Sequence, residues 1–495
     1  MVVPESRIVV ASSWITWVAA AVWLVLCEAQ LGWLPLSAHA WGFNFWAYLP
    51  PWLAIGFASA ALAVCHPRAR QLLIDGARRV SRASAGWPGC MRDVVVFIAT
   101  VALLWTVRER VLLADSALLF HAALRGWQFV FPDLGATFLM HSIVHADFLP
   151  MSPLDRLRLV YCLVGGVMVL ITLRVGRFVG GGSILVLLLL TSGVARIFAG
   201  RVETYSVLLC AVMVYMWASL AYLAGRARWW APCLALGVSG WLHLSSLFLV
   251  PSIAVLPWLA RPDLSFRGWL GQISRGALVA ALPMIGFAAG IAVFGQADDL
   301  ERGYHVAMEI VAGRETAEGL NKQWWVRVGD RPAEMGIDYV FMSIAHLKYL
   351  ANASHVLMPL APWVLLFGAL FARSTFRTPT ARFLAVAAAP TILYAFMLRP
   401  FWGPFDWDLF AITAICVGLL AAQVLATGLE SQTRAHVVTC LVGFQALFVG
   451  LPFLAINVAP PRDAGPLVGA YYGYGRSIME AKPGEPPRGP LAPWL

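Results

Sequence analysis

Arg399-Pro400-Phe401-Trp402-Gly403-Pro404-Phe405-Asp406-Trp407-Asp408 carries more chemistry than any other short stretch of this chain. Two carboxylates stand two residues apart, between tryptophans, at the mouth of an apolar run. Acids bind hydroxyls, and the faces of Trp402 and Trp407 stack on flat apolar rings such as the faces of sugars. Arg399 adds a cation for an anionic group. An aromatic belt with capping aspartates uses the same residue types, but two acids exceed what one cap needs.

Four further groups share this character. In Gly200-Arg201-Val202-Glu203-Thr204-Tyr205, Arg201 and Glu203 face one cavity if the backbone is not helical, or form an interfacial pair that fixes topology. Asp115 follows Arg108-Glu109-Arg110 and an apolar run. A carboxylate against lipid is partly desolvated, which raises its pKa and suits a general base. The same residue also reads as a helix N-cap. His243, in Trp241-Leu242-His243, is a substrate or metal ligand, or a histidine bonded to a neighbouring helix. His346 and Lys348, with Ser343 and Asn352 nearby, can hold a lipid phosphate or serve as interfacial anchors.

The elements that position these groups are apolar. Sixty per cent of the 495 residues are hydrophobic and 13% charged, with a mean hydropathy of +0.74, too little charge to cover a soluble protein of this length. Runs of bilayer length fall at 8–30, 45–65, 94–113, 157–178, 183–200, 205–224, 230–244, 245–259, 276–295, 354–372, 382–398, 408–427 and 435–457. Backbone groups in lipid must bond internally, and these runs do not alternate, so helices rather than a barrel are expected. The fold class is thus an all-α polytopic membrane protein of about thirteen transmembrane helices. The pair at 230–259 also reads as one long tilted helix. The first run exceeds a signal-peptide core and lacks a small-residue cleavage site, and reads as a retained helix.

Arginine sets the orientation. Arg68, Arg70, Arg78, Arg79, Arg82 and Arg92 crowd 66–93, and placing that loop in the cytoplasm also puts Arg174, Arg177, Arg226, Arg228, Arg261, Arg267, Arg275, Arg373, Arg377 and Arg382 there. Asp115, Glu203, His243, His346, Arg399, Asp406 and Asp408 then share the extracytoplasmic face. The expected location is the inner (cytoplasmic) membrane, with the N-terminus cytoplasmic and the C-terminus outside. The outer loop 114–156 holds amphipathic stretches at 116–127 and 138–149 that suit an interfacial position. A second outer loop spans 296–353, and a Pro/Gly-rich tail spans 458–495.

The formal charge of +10 resides in arginines that punctuate apolar runs, which is a topology signal and not a nucleic-acid footprint. Eight cysteines show no CxxC and no metal spacing, so no disulfide framework is expected. There is no Walker motif and no GxGxxG after a strand, hence no nucleotide cofactor is expected and activated substrate must come from the membrane or from outside.

The order and sidedness of Arg108 to Asp115, Phe198 to Tyr205, Trp241-Leu242-His243, Ser343 to His346 with Asn352, and Asp406 to Ala411 resemble the GT-C superfold of polytopic glycosyltransferases. The resemblance is to bacterial members related to protein O-mannosyltransferases and lipid A aminoarabinose transferases, and covers about residues 94–427. It implies a GT-C-like catalytic domain at 94–457, preceded in 1–93 by two extra spans and an arginine-rich loop that depart from the family layout. It implies inverting transfer from a polyprenyl-phosphate-linked sugar to a lipid, glycan or protein acceptor, with Asp115 as general base. Arg201, His346, Lys348 and Arg399 would bind the donor phosphate. Glu203, His243, Trp402, Asp406 and Asp408 would bind substrate, and Glu203 and His243 can hold a divalent metal.

Three other readings fit a polar, membrane-embedded face. A secondary transporter or a lipid-linked sugar flippase would place charge along a transmembrane path, usually in repeated halves. A surface-polysaccharide polymerase or ligase would use arginines of a large outer loop, here Arg302, Arg314, Arg327 and Arg331.

Overall fold

The computed structural model describes residues 49–109, 112, 115–126, 128, 133–294, 341–398 and 407–458. Every regular element among them is helical, and no strand occurs. The span expected at 8–30, most of the loop 296–353 and the tail 458–495 lie outside the described residues, as do Arg399, Trp402 and Asp406.

The chain enters through α1 (Pro51–Cys65) and α2 (Pro67–Ala83). Residues 66–93, expected as an arginine-rich loop, are thus mostly helix. Pro67 sits at the first turn and His66 Nδ1 accepts the Arg68 N–H at 3.3 Å, so the helix has a start signal that composition hid. Leu72, Leu73 and Val80 are exposed along it beside its arginines, as on a helix lying in a membrane interface. Next come α3 (Gly89–Thr106), α4 (Asp115–Leu124) and α5 (Leu134–Val144). The last two match the short outer helices expected in 114–156.

The centre is built by α6 (Pro153–Phe178), α7 (Gly182–Leu190), the single turn α8 (Val194–Ile197), α9 (Tyr205–Leu223), α10 (Trp230–Leu242), α11 (Val250–Ala260) and α12 (Phe266–Phe294). Ser152 starts α6 with a capping box, accepting the Asp155 N–H at 3.1 Å and donating to Asp155 Oδ2 at 2.8 Å. α3 runs antiparallel to α6, and the salt bridge Asp93–Arg174 (2.7 Å) ties the start of one to the end of the other. Gly165 and Gly166 allow that approach: a Cβ on Gly166 would lie 2.7 Å from the Phe97 ring. The segment 230–259 resolves as two helices, because His243 is extended (φ −160°, ψ 130°) and breaks the run.

After the undescribed stretch, α13 (Ile344–Leu357) and α14 (Ala361–Phe371) meet at a 92° bend. The loop expected to reach 353 therefore ends at Ser343, which accepts the His346 N–H at 3.1 Å and starts α13. α15 (Pro379–Met397), α16 (Ala411–Gly428), α17 (Ser431–Gln445) and α18 (Leu451–Val458) complete the bundle. Among the described residues seven helices are long and apolar enough to cross a bilayer, or eight with the bent pair, against the expected thirteen; 51–65, 182–190, 230–242 and 244–260 are helical but shorter.

The core lies around α9 and α16. Tyr215 and Ser252 share a hydrogen bond of 2.6 Å, Thr413 donates to the Thr391 carbonyl at 2.6 Å and Gln445 to the Leu188 carbonyl at 2.7 Å. Such links join helices where lipid gives no hydrophobic drive between them. Ile98, Leu278 and Val293 are exposed on the rim, as lipid-facing residues are. The chain is an integral membrane protein.

A candidate active site at one end of the bundle

Antiparallel helices give the bundle two chemically distinct ends. One carries Asp93, Arg174 and Arg226, the last with its guanidinium 5.7 Å from the Phe178 ring. The other gathers charged groups below the surface. Gly200 turns the chain there with φ +65°, which a side chain would strain, and a Cβ on it would meet Arg108 Cβ at 3.0 Å and Arg158 Cβ at 3.3 Å.

Arg201 follows this turn and is 2% exposed. Its Nε donates to Asp408 Oδ2 at 2.8 Å and its Nη2 to Glu203 Oε1 at 3.4 Å, while Nη1 lies 3.7 Å from Glu109 Oε1. Glu109 also accepts from Arg196 Nη2 at 2.8 Å. The Arg201 guanidinium stands 5.2 Å from the Trp407 ring. All five charged groups are buried. Burial by itself would lower the pKa of Arg201; Asp408, then Glu109 and Glu203, overcome that and hold it above its ordinary value. Three carboxylates around two arginines leave this nucleus one negative charge in excess.

Ser116 joins the outer helix pair to the nucleus, its hydroxyl donating to Glu203 Oε1 at 3.1 Å. Asp115 opens the same helix, α4, so the expected base enters the chain beside this contact. His243 forms a second, adjoining pair. Its Nδ1 accepts the Ser245 N–H at 3.0 Å, so Nε2 carries the proton, 2.8 Å from Asp133 Oδ1. The His243 and Tyr205 rings lie 5.3 Å apart, which sets this pair against the start of α9, two residues beyond Glu203.

Of the residues expected from sequence, Arg201, Glu203 and Asp408 come together directly, and the helix bearing Asp115 is bonded to them. Asp408 and Glu203, expected to hold substrate, already hold Arg201. His346 is buried on α13; its Nδ1 accepts the Met342 N–H at 3.0 Å and its ring packs between Phe341 and Phe396. Both contacts clamp the start of α13. Lys348 is half-buried two residues nearer the bend. α13 packs on the Trp407–Phe410 turn, with Tyr349 and Phe410 rings 5.5 Å apart, which borders the site without bonding to Arg201.

Glu203 and His243 engage different partners, Arg201 and Ser116 for the first, Asp133 and Ser245 for the second. No group of three His, Cys, Asp or Glu that could hold a metal occurs among the described residues.

Glu109, Arg196, Ser116 and Asp133 were not among the expected site residues. Glu109 had a readable signal: an acid wedged between Arg108 and Arg110 directly after an apolar run is costly unless paired.

Neither a protein-family model nor a curated protein sequence matches the chain. Among solved structures, ArnT from Cupriavidus metallidurans, bound to undecaprenyl phosphate, aligns with a TM-score of 0.50 at 13% identity, over 79% of this chain and 81% of that one. The fold is GT-C-like. At that identity the likeness is one of architecture.

Proposed function

We propose that the protein is an integral membrane glycosyltransferase that moves a sugar from a polyprenyl-phosphate donor to an acceptor on the extracytoplasmic face. The observation that carries this reading is the Ser116–Glu203 hydrogen bond, which ties the outer helix begun by Asp115 to a buried acid–arginine nucleus in a GT-C-like fold. The structural neighbour was solved with undecaprenyl phosphate, which supports a lipid of that class as the donor's carrier.

In this reading Asp115 removes the proton from an acceptor hydroxyl or amine. The freed lone pair attacks the anomeric carbon from the side opposite the lipid phosphate, and the carbon–oxygen bond to phosphate breaks with its electron pair. The sugar is inverted, the proton rests on Asp115 and polyprenyl phosphate departs. Positive groups must stabilise that leaving charge. Arg399 and Lys348 remain candidates for that role. Arg201 instead fixes the geometry, because its nitrogens are spent on Asp408, Glu203 and Glu109. Glu203 positions α4 through Ser116. Trp402, Asp406 and His243 are proposed for the sugar or acceptor.

The test is transfer of label from undecaprenyl-phosphate-linked sugars by the full chain in nanodiscs, against lipid, glycan and peptide acceptors. Label should leave the donor as undecaprenyl phosphate accumulates. Asp115→Asn should slow this about 10²- to 10⁴-fold, the usual contribution of a general base, with expression and melting unchanged. Sugar uptake into proteoliposomes without any transfer would replace this reading with the transporter.

A further inference from the structure

Arg158 lies on the second turn of α6, is 8% exposed, and has no role in the nucleus described above. Its Nη1 reaches Asp155 Oδ1 at 3.4 Å, an acid at the half-exposed rim. Its Nε and Nη2 are buried and have no hydrogen-bond partner among the described residues. A buried guanidinium with open donors is costly, and such groups normally meet a counter-charge. Besides Asp155, the charges that act on it are Glu109 and Arg108. Glu109 is committed to Arg196 through Oε1, and its Oε2 is likewise without a hydrogen-bond partner among the described residues. Opposite charges therefore act on one another without bonding, each with a buried polar atom left unpartnered. Arg108 completes the group from α3, half-buried, with its guanidinium 4.0 Å from the Trp105 ring and Nη1 donating to the Trp105 carbonyl at 2.9 Å. Both arginines pack on Gly200, where any side chain would intrude.

Charge decides what this group takes. The Arg201 nucleus carries one excess negative charge, so an anion there would be repelled. At Gly200, with Glu109 counted in the nucleus, Arg108 and Arg158 against Asp155 leave one positive charge in surplus. We propose that Arg158, with Arg108, binds a phosphate group, and that Glu109 Oε2 accepts a neighbouring hydroxyl. A phosphate beside a hydroxyl-bearing group is the chemistry of a sugar phosphate. This rests on the glycosyltransferase reading and moves the donor phosphate from Arg399 and Lys348 to the Gly200 turn. The phosphate could belong to a lipid or be free, and the experiment separates the two.

Binding of undecaprenyl phosphate, undecaprenol and inorganic phosphate is measured on the full chain in nanodiscs, for wild type, Arg158→Gln and Arg158→Lys. Arg158→Gln should weaken undecaprenyl phosphate about tenfold to a hundredfold, the scale of hydrogen bonds to a charged group, with Arg158→Lys between. Undecaprenol should bind all three forms alike, and melting of Arg158→Gln should hold, because the one ion pair lost, to Asp155 at 3.4 Å, is long and lies at the half-exposed rim. Competition by inorganic phosphate in wild type would mark the anion alone as sufficient; its failure to compete, with the lipid still lost in Arg158→Gln, would mark the lipid phosphate. Unchanged undecaprenyl-phosphate affinity in Arg158→Gln overturns the proposal. So does a parallel loss of undecaprenol binding and melting temperature, which would make Arg158 structural. If wild type binds the lipid yet no sugar transfer occurs, the glycosyltransferase reading fails while the anion site stands. Binding of neither phosphate probe by wild type removes the site.

Discussion

Arg201 shows how a single side chain can organise a site it does not act in. Its guanidinium meets Asp408, Glu203 and Glu109, which come from three separate segments of the chain. Replacing it by methionine keeps much of the volume and leaves three buried carboxylates with only Arg196 among them. Removing one member of a buried ion pair typically costs about 3–5 kcal/mol. Arg201→Met should therefore lower the denaturation midpoint in detergent strongly, and adding Asp408→Asn should recover part of the loss, because one orphaned charge is removed with it. Strict additivity of the two substitutions would show that the pair is not coupled. Asp115 should behave in the opposite way, losing transfer and keeping stability.

The outer helices α4 and α5 are held by two histidines that converge on one carbonyl. His141 Nδ1 lies 3.3 Å and His145 Nε2 3.1 Å from the Ala123 oxygen, with the rings 4.4 Å apart. Burial, with a smaller contribution from His145, holds the His141 pKa below its ordinary 6.5. The unfolded chain thus takes up this proton first as pH falls. The clamp is intact above pH 6.5 and weakens below it, since the state that binds more protons gains. Melting should fall between pH 7.5 and 5.5 in wild type, and by less in His141→Gln; identical pH slopes would exclude the clamp. These two helices overlap the stretches expected at 116–127 and 138–149, because a helix-forming run is a local signal. Arg201, Glu203 and Asp408 were legible as charges at the borders of apolar runs. The pairing was not legible: Arg196 meets Glu109 across 87 positions and Arg201 meets Asp408 across 207, and no local pattern encodes such separations. The helical state of 67–83 was hidden for another reason. Its arginines double as topology signals, and only their spacing around Leu72, Leu73 and Val80 marks the helix.

At the scale of the molecule, everything proposed depends on the two ends of the bundle facing different compartments. The antiparallel run of α3 and α6 places Asp93 and Arg174 at one end and Glu109 with the Gly200 turn at the other. Arginine-rich segments are retained on the cytoplasmic side, so the Arg201 end should face outward. The chain offers its own reporter. Cys90, at the start of α3, is exposed, whereas Cys65, Cys162, Cys233, Cys416 and Cys440 are buried. Phe148, between α5 and α6, is 83% exposed at the opposite end, so Phe148→Cys adds a second reporter there at little cost to packing. In intact cells, with Cys27→Ser in both forms, an impermeant maleimide should modify Phe148→Cys and leave its parent unmodified until the membrane is opened. Modification of Cys90 in the parent from outside, with Phe148→Cys protected, would put the acid–arginine nucleus in the cytoplasm. Asp115 would then face the compartment where nucleotide sugars are made, and a polyprenyl-phosphate donor would lose its rationale.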